Sequence, residues 1–388
     1  MKAGAALVLS ADPGEAGRRA AETALASLGE GPPGLGVLFA SGHFLDSAED
    51  LLAAVTAQAG PLPLIGCVCE AVAGGDREVE AAPAVSLWLA AGLGPAETFA
   101  MEFLPTASGG AFGGYRFEPG RDAACLLVCD PFTFPAEYLL AHLNEHAAGT
   151  LVMGGMASGG LGARRSRLFL DGQVRAQGAV GAYLPGTRIH PLVSQGCRPV
   201  GQPFTVTAAE GTLVRELGGR PAMTRLQEMA GALSPRDREL LARGVQVGIV
   251  MNEYGTERHQ GDFLIRSVLG AQPESGAIAV GDEVEVGQTL QFHVRDADSA
   301  DKDLHRLLDQ EAAALGGSRP AGALLFTCNG RGSRLFPEPG HDARLLASTL
   351  GGIPMAGFFC AGELGPVGGQ NYLHAFTASI AVFPGPAG

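Results

Sequence analysis

The sequence predicts an α/β protein built as two pseudo-repeated halves, each a mixed β-sheet with covering helices. Three observations predict it. An apolar run, a helical stretch and a second apolar run ending in glycine recur three times along the chain. Glycine, at 58 of 388 residues, gathers where those runs stop, so close backbone turns are frequent there. The first and third copies also share the spacing Pro-x-x-Gly-x-x-Cys, at Pro63, Gly66, Cys69 and at Pro354, Gly357, Cys360, which duplication explains economically.

In the first copy a strand over 36–42 (GVLFASG) precedes a helix over 47–58, a strand over 63–69 and another over 85–90. The second runs 125–130 (CLLVCD), helix 135–148, strand 150–157 and strand 178–184. The third runs 323–330 (ALLFTCNG), helix 342–350, strand 354–360 and strand 373–383, with Phe326 placed as Phe39 is in the first. A strand, helix and strand of this length form a right-handed parallel crossover, and the short gap to the next strand suits an antiparallel neighbour. The opening residues 1–11 suit a first strand better than a secretory leader.

Between the second and third copies the pattern changes to alternating strands over 196–207 and 245–251, with a helix starting about Pro221. The turn at Gly218 and Gly219 is the expected boundary, dividing the chain into 1–218 and 219–388. Residues 262–295 read as hairpins, and Ser299 is placed to cap a helix carrying Asp301 and Asp303 in its first turn.

A chain of this length fits two domains. The net charge is −13 and the basic residues are nearly all arginine, with Lys2 and Lys302 the only lysines and no basic stripe to neutralise phosphates, so nucleic acid is not expected as a partner. No apolar run approaches the roughly 18 residues that span a bilayer, which excludes a membrane-spanning helix. Seven cysteines, an odd number set mostly in apolar runs, read as reduced thiols of a soluble cytoplasmic protein.

Seven segments in order, FASGH from Phe39, PLIGC from Pro63, SQGCRPVG from Ser194, FLIRSVLG from Phe263, GQTLQFHVRD from Gly287, TCNGRG from Thr327 and AGFFCAGELG from Ala356, resemble the FIST family. The resemblance spans nearly the whole chain, 1–218 matching the N-terminal and 219–388 the C-terminal FIST part. It implies a sensory module that binds a small ligand, amino acids among the proposals, with some members similar to haem-based nitric-oxide sensors. It supplies no established set of catalytic residues. Many relatives fuse the module to an output domain; here the two parts consume the chain, which implies a separate signalling partner.

The densest polar cluster near predicted strand ends is C-terminal: Asn329 and Arg331 after one strand, Glu363 after the next, then Asn371 and His374. These five are the candidate ligand-binding residues, since clefts at such strand ends commonly hold ligands. An Arg fork suits a carboxylate and Glu363 suits an amine. The competing reading pairs Arg331 with Glu363 as a structural bridge. Arg266, His293 and Arg295, on strands in apolar context, are expected in ion pairs with partners such as Asp262 or Asp296.

Other chemistries are weaker. His142, Glu145 and His146 spell H-x-x-E-H, but the apolar face of that helix (Leu139, Leu140, Leu143) leaves both histidines at its polar margin, so zinc is not expected. Cys67 and Cys69 lack a second pair and read as buried thiols. Serine-hydrolase, P-loop and dinucleotide fingerprints are absent. No cofactor is expected; C-x-x-C-H is missing, and a haem would need a free histidine such as His259, His293 or His374. Two alternatives to a non-catalytic sensor stay open: a haem-based nitric-oxide sensor, and a cysteine-dependent enzyme using Cys328 or Cys360 as nucleophile with His374 as base.

Overall fold

The computed structural model describes residues 1–106, 109–118, 122–253 and 260–385; His259 lies outside them. The described chain folds as mixed α/β, and both halves of the sequence carry mixed sheets backed by helices. It divides into two compact units, each discontinuous in sequence: one of 1–193, 304–373 and 377–388, the other of 194–303 and 374–376.

The first unit holds three mixed sheets built on one plan. In each, two parallel strands joined by a helical crossover lie beside an antiparallel third. The triplets are Ala84–Ala91, Leu35–Ser41, Leu64–Cys69; then Ala179–Pro185, Ala123–Cys129, Thr150–Met156; then Thr377–Phe383, Gly322–Cys328, Met355–Cys360. The crossover helices are Ala48–Ala59, Ala136–His146 and His341–Leu350.

The near-continuous apolar strands follow from burial on both faces. Leu35, Val37 and Phe39, Ala124, Leu126 and Val128, and Leu324 and Phe326 point into one core shared by the three sheets. The intervening residues, such as Leu38, Cys125, Leu127 and Leu325, point the other way, into three separate cores under the helices. At the shared centre Phe39 packs on Phe358 at 4.7 Å and meets Phe326 edge-on at 6.3 Å between ring centroids.

Each sheet is completed by a hairpin belonging to another copy, an arrangement the sequence did not disclose. The hairpin of Val72–Gly74 and Arg77–Val79, from the first copy, pairs with Met355–Cys360 of the third. Leu168–Leu170 and Gln173–Arg175, from the second, pair with Leu64–Cys69 of the first. Glu363–Val367, from the third, pairs with Thr150–Met156 of the second. The exchange is cyclic, so no copy has a complete sheet by itself.

One glycine recurs at the same place in all three parallel pairs. Gly66, Gly154 and Gly357 face Leu38, Leu127 and Leu325 in register. A Cβ at these positions would lie 1.8, 1.9 and 2.2 Å from the facing leucine carbonyl oxygen, closer than any real contact. The backbones therefore approach where only glycine fits.

The second unit is the stretch of different character. Its strands Cys197–Glu210, Thr289–Arg295, Val245–Val250, Phe263–Gln272, Ala277–Val280 and Leu213–Leu217 are hydrogen-bonded in that order, and the last pairs back to the first. All these pairings are antiparallel, so the sheet closes on itself around Val206, Val247, Ile278, Leu290 and Phe292. The long first strand turns the corner at a register shift between Val200 and Phe204.

Two local expectations change. The helix assigned to a Ser299 cap runs Ala297–Ala314, and Asp296 caps it by accepting from the Asp298 N–H at 3.1 Å. Of AIAVGDEVEVG only Ala277–Val280 is strand, because Gly281 and Asp282 turn the chain away.

Candidate functional site

The predicted cluster begins where the strand Gly322–Cys328 ends. Asn329 and Gly330 turn the chain, and the Arg331 N–H closes the turn on the Cys328 carbonyl at 2.8 Å, which sends the Arg331 side chain back into the protein. That side chain is fully buried. Nε donates to Asp342 Oδ2 at 2.7 Å and Nη2 to Oδ1 at 2.8 Å, a two-pronged pair. Asp342 sits in the first turn of the helix His341–Leu350 and also accepts from Thr327 Oγ1 at 2.7 Å, with His341 Nδ1 at 2.9 Å. Phe336 lies under the guanidinium at 5.2 Å and stacks on the His341 ring. Burial alone would raise the Asp342 pKa, but the Arg331 guanidinium outweighs it and holds the carboxyl well below the usual range.

Two further carboxyls, one half-buried and one fully buried, border this pair. Glu78, on the exchanged hairpin, accepts from the Ala343 N–H through Oε1 at 3.1 Å, while its buried Oε2 has no partner. Burial, then the charge of Asp342, pushes its pKa up to about 7. Glu363, fully buried at the start of its strand, accepts from the Thr377 N–H at 3.1 Å and hydroxyl at 2.8 Å through Oε2. Its Oε1 makes no such bond. Burial pushes this carboxyl up to about 8, against the smaller opposing influence of Thr377, Cys328 and Arg331.

Of the remaining predicted residues, Asn329 stays at the end of its strand, Asn371 is engaged by other partners and His374 is assigned to the second unit. Asn329 donates its N–H to the Cys360 carbonyl and accepts from Arg334 on its own carbonyl, leaving Oδ1 buried without a partner. Asn371 is a staple: its side chain accepts from the Val152 N–H at 2.8 Å and donates to the Thr150 carbonyl at 2.9 Å and to Asn144 at 3.2 Å. His374 is buried and belongs to the second unit, so Cys328 and His374 fall in different units. The anticipated Arg331 to Glu363 bridge is replaced by Arg331 to Asp342, because Asp342 presents both oxygens to the fork. Asp342 and Glu78 were missed; the available signal for Asp342 was an acid in the first helical turn after TCNGRG.

Elsewhere, Arg266 pairs with Asp282 at 2.8 Å, since the turn at Gly281 brings Asp282 back beside it. Asp296 instead serves Arg198 and Arg236. His142 and His146 stack on each other at 4.4 Å on the outer face of their helix, with His146 exposed. Among the described residues no group of three or more His, Cys, Asp or Glu is placed to hold a metal ion. His293 is packed against Phe263 on one side and Gly248 on the other, where a Cβ would lie 2.4 Å from the ring. That enclosure does not fit a porphyrin at His293, and burial lowers the imidazole pKa to about 4.

The raised Glu363 pKa has a measurable consequence. A carboxyl that binds its proton more tightly folded than unfolded contributes stability that is complete below the unfolded value and lost as pH rises through the folded one, here from about 4.5 to about 8. Glu363→Gln is expected to match the wild type below about pH 4.5 and to exceed it progressively as pH rises, by an upper bound of about 5 kcal/mol beyond pH 8, read from urea unfolding across that range. Equal stability curves at both ends would show that Glu363 ionises freely.

Three mixed sheets, a closed antiparallel sheet and buried acids gathered at strand ends define an α/β module with a polar site but without a recognisable catalytic triad or metal centre among the described residues. The chain matches the FIST N domain over residues 34–220 and the FIST C domain over 222–366, and it belongs to the FIST family. FIST domains are sensory domains of signal transduction that bind small ligands. The chain is 49% identical over 383 residues, 99% of its length and 100% of the relative's, to the uncharacterized protein Rv0628c of Mycobacterium tuberculosis. It is 48% identical, over 99% of each chain, to the uncharacterized protein Mb0898c of Mycobacterium bovis. Among the described residues no helix is long and apolar enough to cross a membrane.

Proposed function

We propose that this chain is a cytoplasmic sensor of a small polar metabolite, an amino acid or a molecule of similar chemistry, recognised around Asn329, Arg331 and Glu363 and reported to a separate signalling partner. One observation carries the reading: Arg331 Nη1, Glu363 Oε1 and Glu78 Oε2 are buried polar atoms without hydrogen-bond partners on side chains that influence one another electrostatically, and Asn329 Oδ1, two residues before Arg331, is a fourth such atom. Each such atom costs about 1–3 kcal/mol, a cost a ligand relieves by bonding to it. Nη1 supplies a donor for a carboxylate or carbonyl oxygen; Asn329 Oδ1 supplies an acceptor, and Glu363 and Glu78, whose burial favours the protonated form, become acceptors for an ammonium by giving up that proton as its charge arrives. Because Asp342 already fills the Arg331 fork, the guanidinium contributes one prong and not two. Asn371, spent inside the fold, and His374 are not needed.

A thermal-shift screen of amino acids and related metabolites, followed by calorimetric titration, tests this. A hit is expected to bind Glu363→Gln about 10-fold more weakly, the worth of one hydrogen bond at a buried carboxyl. Unchanged affinity in both Glu363→Gln and Asn329→Ala would remove the cluster from the site.

A further inference from the structure

Cys328 and Cys360 are register partners on adjacent parallel strands. Such strands run about 4.8 Å apart, inside the roughly 4.4–6.8 Å between Cα atoms that a disulfide bridges. In-register residues leave the same face of the sheet, and here it is the face that carries Phe326 and Phe358 into the shared core. The two thiols are close enough to influence each other electrostatically. Cys360 Sγ is held over Gly155, where a Cβ would come within 2.4 Å of it, so the missing side chain makes room for this thiol.

Their surroundings differ in the way a reactive and a resolving thiol need. Cys328 is half-buried, whereas the other six cysteines are buried. Its sulfur accepts from the Gly330 N–H at 3.4 Å and lies in the field of the Arg331 guanidinium, both of which favour a thiolate; the Glu363 carboxyl, which shares a hydrogen bond with this thiol, opposes one only when it is itself ionised. Cys360 is fully enclosed, with apolar neighbours and Glu363 nearby, and serves only as the second sulfur.

We propose that Cys328 and Cys360 form a peroxide-responsive dithiol that closes to a disulfide across the parallel strand pair. The Cys328 thiolate attacks a hydroperoxide oxygen; the O–O bond breaks, the alcohol or water leaves with a proton, and Cys328 becomes a sulfenic acid. The Cys360 sulfur then attacks the Cys328 sulfur, the S–O bond breaks, and water departs with the Cys360 proton. Two thiols are oxidised by two electrons in all, and one hydroperoxide is reduced to an alcohol, or water, plus water. Cys328 neighbours the proposed ligand groups Arg331 and Glu363, but the thiol chemistry needs no bound ligand.

The test is hydrogen peroxide treatment of the full-length protein, then alkylation under denaturing conditions, digestion and mass spectrometry. The expected product has lost two of its seven free thiols and yields a reducible peptide pair joined through Cys328 and Cys360. Cys360→Ser is expected to leave Cys328 as a sulfenic acid trapped by dimedone, and Cys328→Ser to abolish the link. Seven alkylatable thiols after peroxide, a link through Cys67 instead, or overoxidation of Cys328 in the wild type without any link would overturn the proposal.

Discussion

Gly154→Val is expected to abolish the folded protein, or to leave it so destabilised that no cooperative melting transition is seen. The added Cβ would stand 1.9 Å from the Leu127 carbonyl oxygen, and the residue has a φ of +149° that L side chains rarely adopt. Neither partner can yield, because the Leu127 strand lies between Thr150–Met156 and Ala179–Pro185 and is bonded to both. Losses above about 4 kcal/mol are reserved for such mechanisms, and a domain has only about 5–15 kcal/mol in total. Gly66→Val and Gly357→Val, at the matching places, are expected to behave alike. Gly231→Ala is the control: nothing lies within 4 Å of its Cβ, it sits in the helix Ala222–Ala232, and it is expected to be neutral or stabilising by up to about 1 kcal/mol. Circular-dichroism melts of the four variants decide it, and a Gly154→Val transition near the wild type would refute the close-approach account.

Asp342→Ala is expected to cost about 3–5 kcal/mol, the second large effect, because it strands the fully buried Arg331 cation. Replacing both partners, as Arg331→Met with Asp342→Leu, is expected to recover much of that loss, since the desolvation of both charges disappears with their attraction. The pH dependence has the opposite sign to that of Glu363. A carboxyl held below its unfolded pKa contributes stability that is present above the unfolded value and lost as pH falls towards the folded one, so this pair should hold through neutral pH and fail only in acid. Urea unfolding of the single and double variants measures both; a double variant as unstable as Asp342→Ala would mean that the cost is lost packing and not a stranded charge.

The sequence made the three strand, helix and strand units legible because their apolar runs, crossover lengths and terminal glycines are local signals. It also showed that the first and third copies share a glycine, and the common sheet order and the identical approach of Gly66, Gly154 and Gly357 to a leucine carbonyl support duplication of all three. The exchanged hairpins were not legible. Three-residue strands such as Val72–Gly74 and Leu168–Leu170 carry no period, and which edge they join is decided by contacts made far away in sequence. The closure of the second unit depends likewise on the bend between Val200 and Phe204, which no residue type announces.

For the site, the polar residues at the strand ends were visible, but their partners were not. Arg331 looked like a ligand clamp because Asp342 lies eleven residues on, across a turn and Phe336, and its carboxylate meets the guanidinium only after the helix is docked. Asn371 looked like a ligand contact because its partners Asn144, Thr150 and Val152 are more than two hundred residues away. Glu363 is retained in the proposal for a physical reason: it is a wholly buried acid with one oxygen bonded to Thr377 and the other without a hydrogen-bond partner.

The central claim is that a small polar ligand completes this cluster, and a crystal structure of the chain with a metabolite from the thermal-shift screen tests it most directly. The expected result is ligand density with a donor within about 3 Å of Glu363 Oε1 and an acceptor at the same distance from Arg331 Nη1, with the Arg331 to Asp342 pair intact. A ligand bound elsewhere, with Glu363 Oε1 and Arg331 Nη1 still unbonded or bridged only by water, would contradict it.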